Sequence, residues 1–237
     1  MKRKNSKVSV ILATYNEKEN IGAMVANLYK TIAPPLEVIV VDDASPDHTA
    51  EIVEGLDFPD LILIRRKCRG LASAFNRGII ESSGDIICWL DADLCMPVTT
   101  LCEMIELLDH HHMVIGSRYA KGGSDNREFL RVISSRFING FARIMLGTGI
   151  KDMDSGFIAI RREVLNHISL IPFGHGEYFI ELVYDAWKTG LRIHEVGFAF
   201  KSRKAGKSKS RPTLWVFFKK GVHYIFRIIR LRVRAII

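Results

Sequence analysis

Short apolar runs alternate with stretches of helical spacing along the first half of the chain, and this alternation restricts the possible fold more than any other feature. Val8 to Leu12 is a β-branched run, and Asn20 to Lys30 follows with Ile21, Met24, Val25 and Leu28 on one helical face. Glu37 to Val41 reads as a second strand, Thr49 to Gly55 as a helix and Leu61 to Ile64 as a third strand. The series continues with a helix over Gly70 to Ser82, a strand over Ile86 to Leu90, a helix over Thr99 to Asp109 and a short strand over Met113 to Gly116. Strands too apolar to face water on either side need helices on both faces. The spacing therefore predicts an α/β fold around a mostly parallel central sheet.

Past Arg118 the composition changes. Gly122 to Asn126 reads as a flexible loop, Phe129 to Leu146 as a helix, Glu177 to Thr189 as a helix closed by Gly190, and Leu191 to Phe200 as a last strand. Lys201 to Arg211 reads as a mobile loop. With 237 residues, 48% apolar and 25% charged, the chain suits one large domain with an appendage, and disordered, collagen-like and disulfide-scaffold classes fall away. The expected division is a catalytic-type domain over 1–210 and a tail over 211–237.

The net charge of +8 belongs to that tail. Residues 1–200 carry 22 Lys and Arg against 26 Asp and Glu, whereas 201–237 carry 12 basic residues and no acid. A mildly acidic body argues against nucleic acid as a partner, and a basic, apolar tail argues for an anionic membrane surface. On a helix, Leu214, Phe217, Phe218, Val222, Ile225, Ile228, Ile229, Val233 and Ile236 share one stripe, interrupted too often by charge to span a bilayer. Two placements follow. The helix lies in a membrane interface with Trp215 and Tyr224 at headgroup depth, or it packs on the body or on a partner subunit. Cys68, Cys88, Cys95 and Cys102 form no CxxC pair, which points to a reducing compartment, and the apolar run after Lys7 is too short for a signal-peptide core.

The candidate chemistry follows the strands. Asp91 and Asp93, at alternate positions past a strand end, can share one hard divalent cation completed by nucleotide phosphates, or can be two solvated acids in a turn. Asp42-Asp43 offers a carboxylate to a base or ribose, or a helix cap together with Ser45 or Asp47. No G-x-G-x-x-G or P-loop is present. Arg118, Arg131, Arg203, Lys207 and Lys209 suit phosphate recognition, and the loop with Arg203, Lys204, Lys207 and Lys209 could close over a polyphosphate or be a solvated charge run. The tract His110-His111-His112 reads as a solvated helix end, since consecutive side chains cannot all face one ion.

These residues resemble the family 2 glycosyltransferases of GT-A nucleotide-sugar fold, and among them the polyprenyl-phosphate (dolichol-phosphate) mannosyltransferases. The resemblance rests on Thr14-Tyr15-Asn16-Glu17, Val41-Asp42-Asp43-x-Ser45-Pro46-Asp47, Gly70-Leu71, Ser83-Gly84-Asp85, Asp91-Ala92-Asp93-Leu94, Gly116-Ser117-Arg118-Tyr119, Gly122-Gly123, Asp152-x-x-Ser155-Gly156-Phe157 and Arg203-x-x-Gly206-x-Ser208-Lys209. It implies that Ala13, Tyr15, Glu17, Val41 and Asp43 hold the base and ribose of a donor. It implies that Asp91, Ala92 and Asp93, with Mg²⁺ or Mn²⁺, hold the diphosphate, and that Arg118, Arg131 and Ser135 meet the acceptor phosphate. Arg203 and Lys209 match the loop that closes over the donor.

Three positions depart from the family pattern. Cys95 stands where an oxygen ligand to the metal is usual, Glu177 where Lys is usual, and Ala13 where Pro is usual. The implied activity is inverting transfer of mannose from GDP-mannose to a polyprenyl phosphate, with Asp91, Asp93, Arg118 and Arg131 as the catalytic set. The protein is then expected to be peripheral on the cytoplasmic side of a membrane, with small membrane subunits as further partners. The alternatives are transfer to a saccharide or another lipid, with Asp152 or Asp154 as base; a UDP-glucose-type donor; and a catalytically silent nucleotide-binding subunit.

Overall fold

The computed structural model describes residues 6–174, 176–201 and 214–234, the side chains of 214–220 excepted. The chain runs β1 (Val8–Thr14), α1 (Ile21–Thr31), β2 (Leu36–Asp42), α2 (Thr49–Glu54), β3 (Leu61–Arg65), α3 (Leu71–Glu81), β4 (Ile86–Trp89), α4 (Val98–Leu107) and β5 (Met113–Ser117). It continues with β6 (Ser124–Asp125), α5 (Phe129–Leu146), β7 (Ile158–Arg161), α6 (Glu177–Lys188), β8 (Ile193–Gly197), β9 (Ala199–Phe200) and α7 (Leu214–Arg234). Seven strands form one sheet in the order β3-β2-β1-β4-β7-β5-β8, while β6 and β9 pair apart from it.

The strands are apolar throughout because each feeds two cores in alternation. Ile11, Ile39, Val41, Ile87, Trp89, Ile158 and Ile160 point into the layer under α3, α5, α6 and α7. Val10, Leu12, Val38, Val40, Cys88 and Ala159 point into the layer under α1, α2 and α4. The period-2 alternation thus survives as two buried faces rather than as one wet and one dry face.

Two strands differ from the sequence expectation. β7 is inserted antiparallel between β4 and β5, pairing Trp89 with Ile158 and Ile115 with Ile158. The strand is only four residues long, and its three apolar residues are buried on both faces like its neighbours, so neither its existence nor its direction shows in the pattern. The expected strand Leu191–Phe200 divides at Phe198, with β8 staying beside β5 and β9 leaving to pair with β6 inside the expected loop. Gly123 makes that exit possible: a Cβ there would collide with the carbonyl oxygens of Ser117 and Arg118.

At the N-terminal edge of the sheet a buried carboxylate ties three segments. Glu37, 2% exposed, accepts from Ser9 Oγ at 2.5 Å, Ser83 N at 2.6 Å and Ser83 Oγ at 2.6 Å, and pairs with Lys7 Nζ at 2.8 Å. Burial alone would raise its pKa, but these donors together hold it at about 2, well below the ordinary 4.5. Because the folded value is depressed, its stabilising share is complete above the unfolded value and lost as pH falls through the folded one. Glu37→Gln is expected to cost about 2 kcal/mol in urea denaturation at pH 7, and to remove the part of the acid destabilisation that the wild type shows between about pH 4.5 and 2.

Candidate active site

The C-terminal ends of the parallel strands lie on one edge, and β7, running the other way, brings its N-terminal end to the same edge. Tyr15 and Glu17 after β1, Asp43 after β2, Asp91 and Asp93 after β4, Arg118 after β5 and Asp152–Phe157 before β7 are therefore gathered on one rim. The rim loops turn through left-handed backbone at non-glycine residues: Asn16 at φ 56°, Ala44 at 54° and Leu94 at 61°. Strain of this kind persists where the surrounding structure fixes it.

At the end of β2, Asp42 and Asp43 separate into two roles. Asp42 is a brace, accepting from Thr14 Oγ1 at 3.0 Å and from Ser45 N and Oγ at 2.9 and 2.5 Å. Asp47 holds the start of α2 by accepting from Thr49 N and Oγ1. Asp43 forms a pair with Arg66 at 2.6 Å and accepts from Gly70 N at 2.8 Å. Arg69 lies over the Tyr15 ring, 4.0 Å from its centroid. Val41 is enclosed in the core as the register partner of partly buried Ala13. Glu17, 6% exposed, accepts from Asn20 Nδ2 at 2.9 Å, and its carbonyl receives the Asn20 and Ile21 N–H groups at the start of α1. Arg66 and Arg69 are marked in the sequence only by the basic run Arg65-Arg66-Lys67-Cys68-Arg69 at a strand end.

The Asp91-Ala92-Asp93 turn presents two hard carboxylates, with Asp93 4% exposed and its Oδ1 accepting the Cys95 N–H at 3.1 Å. Ala92 is buried beneath the turn. The Cys95 thiol, 1% exposed, lies 3.8 Å from the Asp93 carbonyl oxygen, and is a soft atom beside a hard pair. Among the described residues no cluster of three His, Cys, Asp or Glu forms a metal site. The two carboxylates fit a hard divalent cation that takes its other ligands from phosphate and water.

Past β5, Arg118 is locked by a fork. Its Nε and Nη2 donate to the two oxygens of Asp152 at 2.8 and 2.6 Å, and Nη2 also reaches the Asp154 carbonyl at 3.0 Å. Arg118 is 4% exposed and Asp152 fully buried. The Asp152 charge raises the Arg118 guanidinium far above its ordinary value against the opposing effect of burial. Burial pushes Asp154 up to about 6, partly opposed by Arg118 and by a hydrogen bond from the Tyr224 hydroxyl. Tyr178 on α6 is raised by burial and by the charges of both Asp91 and Asp154, so one buried phenol senses both halves of the rim. Arg131, on the first turn of α5, lies 4.0 Å from Glu128, and Ser135 is buried one turn on. Arg203 and Lys209 lie outside the described residues.

The glycosyl transferase family 2 model matches residues 9–169 of the chain. The chain belongs to that family. Dolichol-phosphate mannosyltransferase of Pyrococcus furiosus is 35% identical over 232 residues, which cover 94% of this chain and 64% of that protein, so the chain spans less than two thirds of its length. Polyprenol monophosphomannose synthase of Mycolicibacterium smegmatis is 32% identical over 218 residues, covering 87% of this chain and 82% of that one. In fold, the chain is similar to glucosyl-3-phosphoglycerate synthase of Mycobacterium tuberculosis, solved with Mn²⁺, uridine diphosphate and glucosyl-3-phosphoglycerate. That match has a TM-score of 0.71 at 20% identity, covering 95% of this chain and 79% of that one. The GT-A expectation for the fold is met.

Against this family framework, α7 shows how the basic tail is placed. It packs on α5 and α6 with Ile228 and Leu231 buried, and Glu181 of α6 receives Arg227 at 2.6 Å and Arg234 at 2.9 Å. Tyr224, expected at headgroup depth, instead reaches into the rim and bonds Asp154. Gly176 leaves the space that its hydroxyl occupies. Val222, Phe226, Ile229 and Val233 remain exposed on the other side, and no helix among the described residues is long and apolar enough to cross a membrane. Glu177, the family's Lys position, is the first residue of α6, where a carboxylate suits the helix dipole. His112 accepts the Arg192 N–H through Nδ1 at 2.9 Å, a structural use for one member of the histidine tract.

Removing one partner of a buried ion pair strands the other. Asp152→Asn is therefore expected to destabilise by about 3–5 kcal/mol, seen as a melting temperature lower by roughly 10 °C. A Tm within one or two degrees of wild type would show that Arg118 does not depend on this fork.

Proposed function

We propose that this chain is a metal-dependent glycosyltransferase that moves mannose from GDP-mannose to a polyprenyl, dolichyl-type phosphate at a membrane surface, with inversion at the anomeric carbon. The observation that carries this reading is the Asp152 fork on Arg118. It fixes a permanent cation on the rim and leaves the Nη1 edge without a hydrogen bond to any described residue. Relatives whose names specify mannosyl transfer to lipid phosphates, at 35 and 32% identity, support the same acceptor class.

Asp91 and Asp93 would hold Mg²⁺ or Mn²⁺, which when bound neutralises the departing nucleoside diphosphate. Tyr15, with Arg69 over its ring, and Asp43, braced by Arg66, offer the base and ribose a stacking surface and a carboxylate. Arg118, Arg131 and Ser135 orient an acceptor phosphate that attacks the sugar from the face opposite the leaving group, giving a β-linked product from an α-linked donor. A phosphate ionised at pH 7 needs no base, and Asp152, engaged through both oxygens by Arg118, has none to offer. The exposed stripes of α5 and α7 suit a peripheral position on a membrane, where the lipid acceptor resides.

A second reading has one observation in its favour. Asp154, held near 6, has the pKa that a hydroxyl acceptor would need in a general base. The test is transfer of labelled sugar from GDP-mannose to a short-chain polyprenyl phosphate in detergent. The expected result is product that disappears with a chelator and returns with Mn²⁺ or Mg²⁺, and turnover at least ~100-fold lower in Asp93→Ala. Product from UDP-glucose alone would overturn the donor. Equal transfer to the uncharged polyprenol, abolished in Asp154→Asn, would favour the hydroxyl-acceptor reading.

A further inference from the structure

Helix α5 carries three distinct faces. Ser135, Ile138, Asn139, Ala142 and Leu146 are buried against the body. Phe129, Leu130, Ile133, Phe137 and Ile144 are 48–79% exposed and fall on one stripe. Between these two faces Arg136, Gly140 and Arg143, spaced by three and four residues, form a third strip that opens onto a cavity of roughly 380 Å³. Arg118, Tyr119, Asn139 and Lys151 complete much of its wall.

The charge in this cavity is one-sided. Arg118 is held by its fork with Asp152. Arg136, Arg143 and Lys151 form no ion pair with a described carboxylate; Arg136 instead lies 5.8 Å from the centroid of the Tyr119 ring. The nearby Glu195 is occupied by the backbone N–H groups of Lys151 and Asp152 at 2.9 and 3.0 Å. Gly140 lines the cavity, and a Cβ added there would stand in open space. Of the residues assigned to the acceptor phosphate, Arg118 borders the cavity, whereas Arg131 and Ser135 do not line it.

We propose that this cavity is a binding site for the phosphate headgroup of an anionic glycerophospholipid, adjoining the acceptor site at Arg118 and built on Arg136, Arg143 and Lys151. Three cations without carboxylate partners match a phosphodiester anion. A lipid is favoured over a soluble phosphate because the basic strip borders the exposed apolar stripe on the same helix. A headgroup held by Arg136 and Arg143 leaves its acyl chains beside Ile133, Phe137 and Ile144. The site rests on the peripheral-membrane reading given above and adds to it a specific anchor on α5, outside the basic tail.

The test is co-sedimentation of the full chain with vesicles of phosphatidylcholine alone and with 30% phosphatidylglycerol. Three proteins are compared: wild type, Arg136→Gln/Arg143→Gln, and Gly140→Leu, which fills the cavity without changing charge and improves helix propensity. Wild type is expected to prefer the anionic vesicles. The double variant is expected to bind them roughly thirtyfold more weakly, each basic group near an anionic leaflet contributing about a factor of five. Gly140→Leu is expected to lose at least about fivefold, a loss that diffuse surface attraction alone would not produce. Both variants should retain transfer to a short-chain acceptor in phospholipid-free detergent.

Wild-type affinity for anionic vesicles in Gly140→Leu would overturn the headgroup site while leaving the membrane reading intact. Wild type that binds neither vesicle would overturn both. Loss of transfer in detergent would reassign the cavity to the acceptor. Saturable binding of inorganic phosphate that competes off the vesicles, with no loss in Gly140→Leu, would replace the lipid by a free anion and overturn the assignment.

Discussion

The fork between Asp152 and Arg118 is the contact on which the rest of the rim depends. A buried ion pair of this kind contributes little net stability over an apolar pair of similar shape, yet leaving either partner alone is costly. What it supplies here is a guanidinium whose position is fixed from one side, with Nε and Nη2 spent on the carboxylate. The fork exists because β7 runs against its neighbours. Had β7 been parallel, the Asp152–Phe157 segment would enter at the opposite edge, beside Glu37, and no carboxylate from it could reach a residue at the end of β5.

The two edges of the sheet therefore divide the labour. At one, Glu37 collects donors from three segments and is held ionised for cohesion. At the other, the acids are kept apart in function. Asp42 and Asp47 brace loops, Asp43 and Asp152 each hold an arginine, the Asp91-Ala92-Asp93 turn offers hard ligands, and Asp154 sits under the Tyr224 hydroxyl with a raised pKa. Because Tyr224 belongs to α7, a helix with an exposed apolar stripe, the element that faces outward is also bonded to the rim. The placement of α7 and the protonation of Asp154 are physically linked.

Most of this architecture was legible in the sequence because the first five strands and four helices announce themselves through long, uniform periodicity. The rim acids Asp42, Asp43, Asp91 and Asp93 were legible for the same reason, since each sits at or just past a strand end. β7 was not, because three buried apolar residues carry no direction. Arg66 and Arg69 were hidden in a basic run that looks like solvated charge until Arg66 meets Asp43 and Arg69 meets the ring of Tyr15. For the tail, amphipathicity showed that one face must be covered. It could not show that Glu181 would draw Arg227 and Arg234 onto the body, because a buried partner 46 or more residues away leaves no local trace.

In the proposed function Asp152 holds Arg118 so that its Nη1 edge meets an anionic acceptor. The most direct measurement is a structure of the protein with a nucleoside diphosphate, Mn²⁺ and a short-chain polyprenyl phosphate. The account predicts that the acceptor phosphate lies within hydrogen-bond distance of Arg118 Nη1, about 2.7–3.0 Å, with the Asp152 fork unchanged and Asp91 and Asp93 on the metal. A phosphate bound away from Arg118, or an Arg118 that has left Asp152 to reach it, would contradict the account.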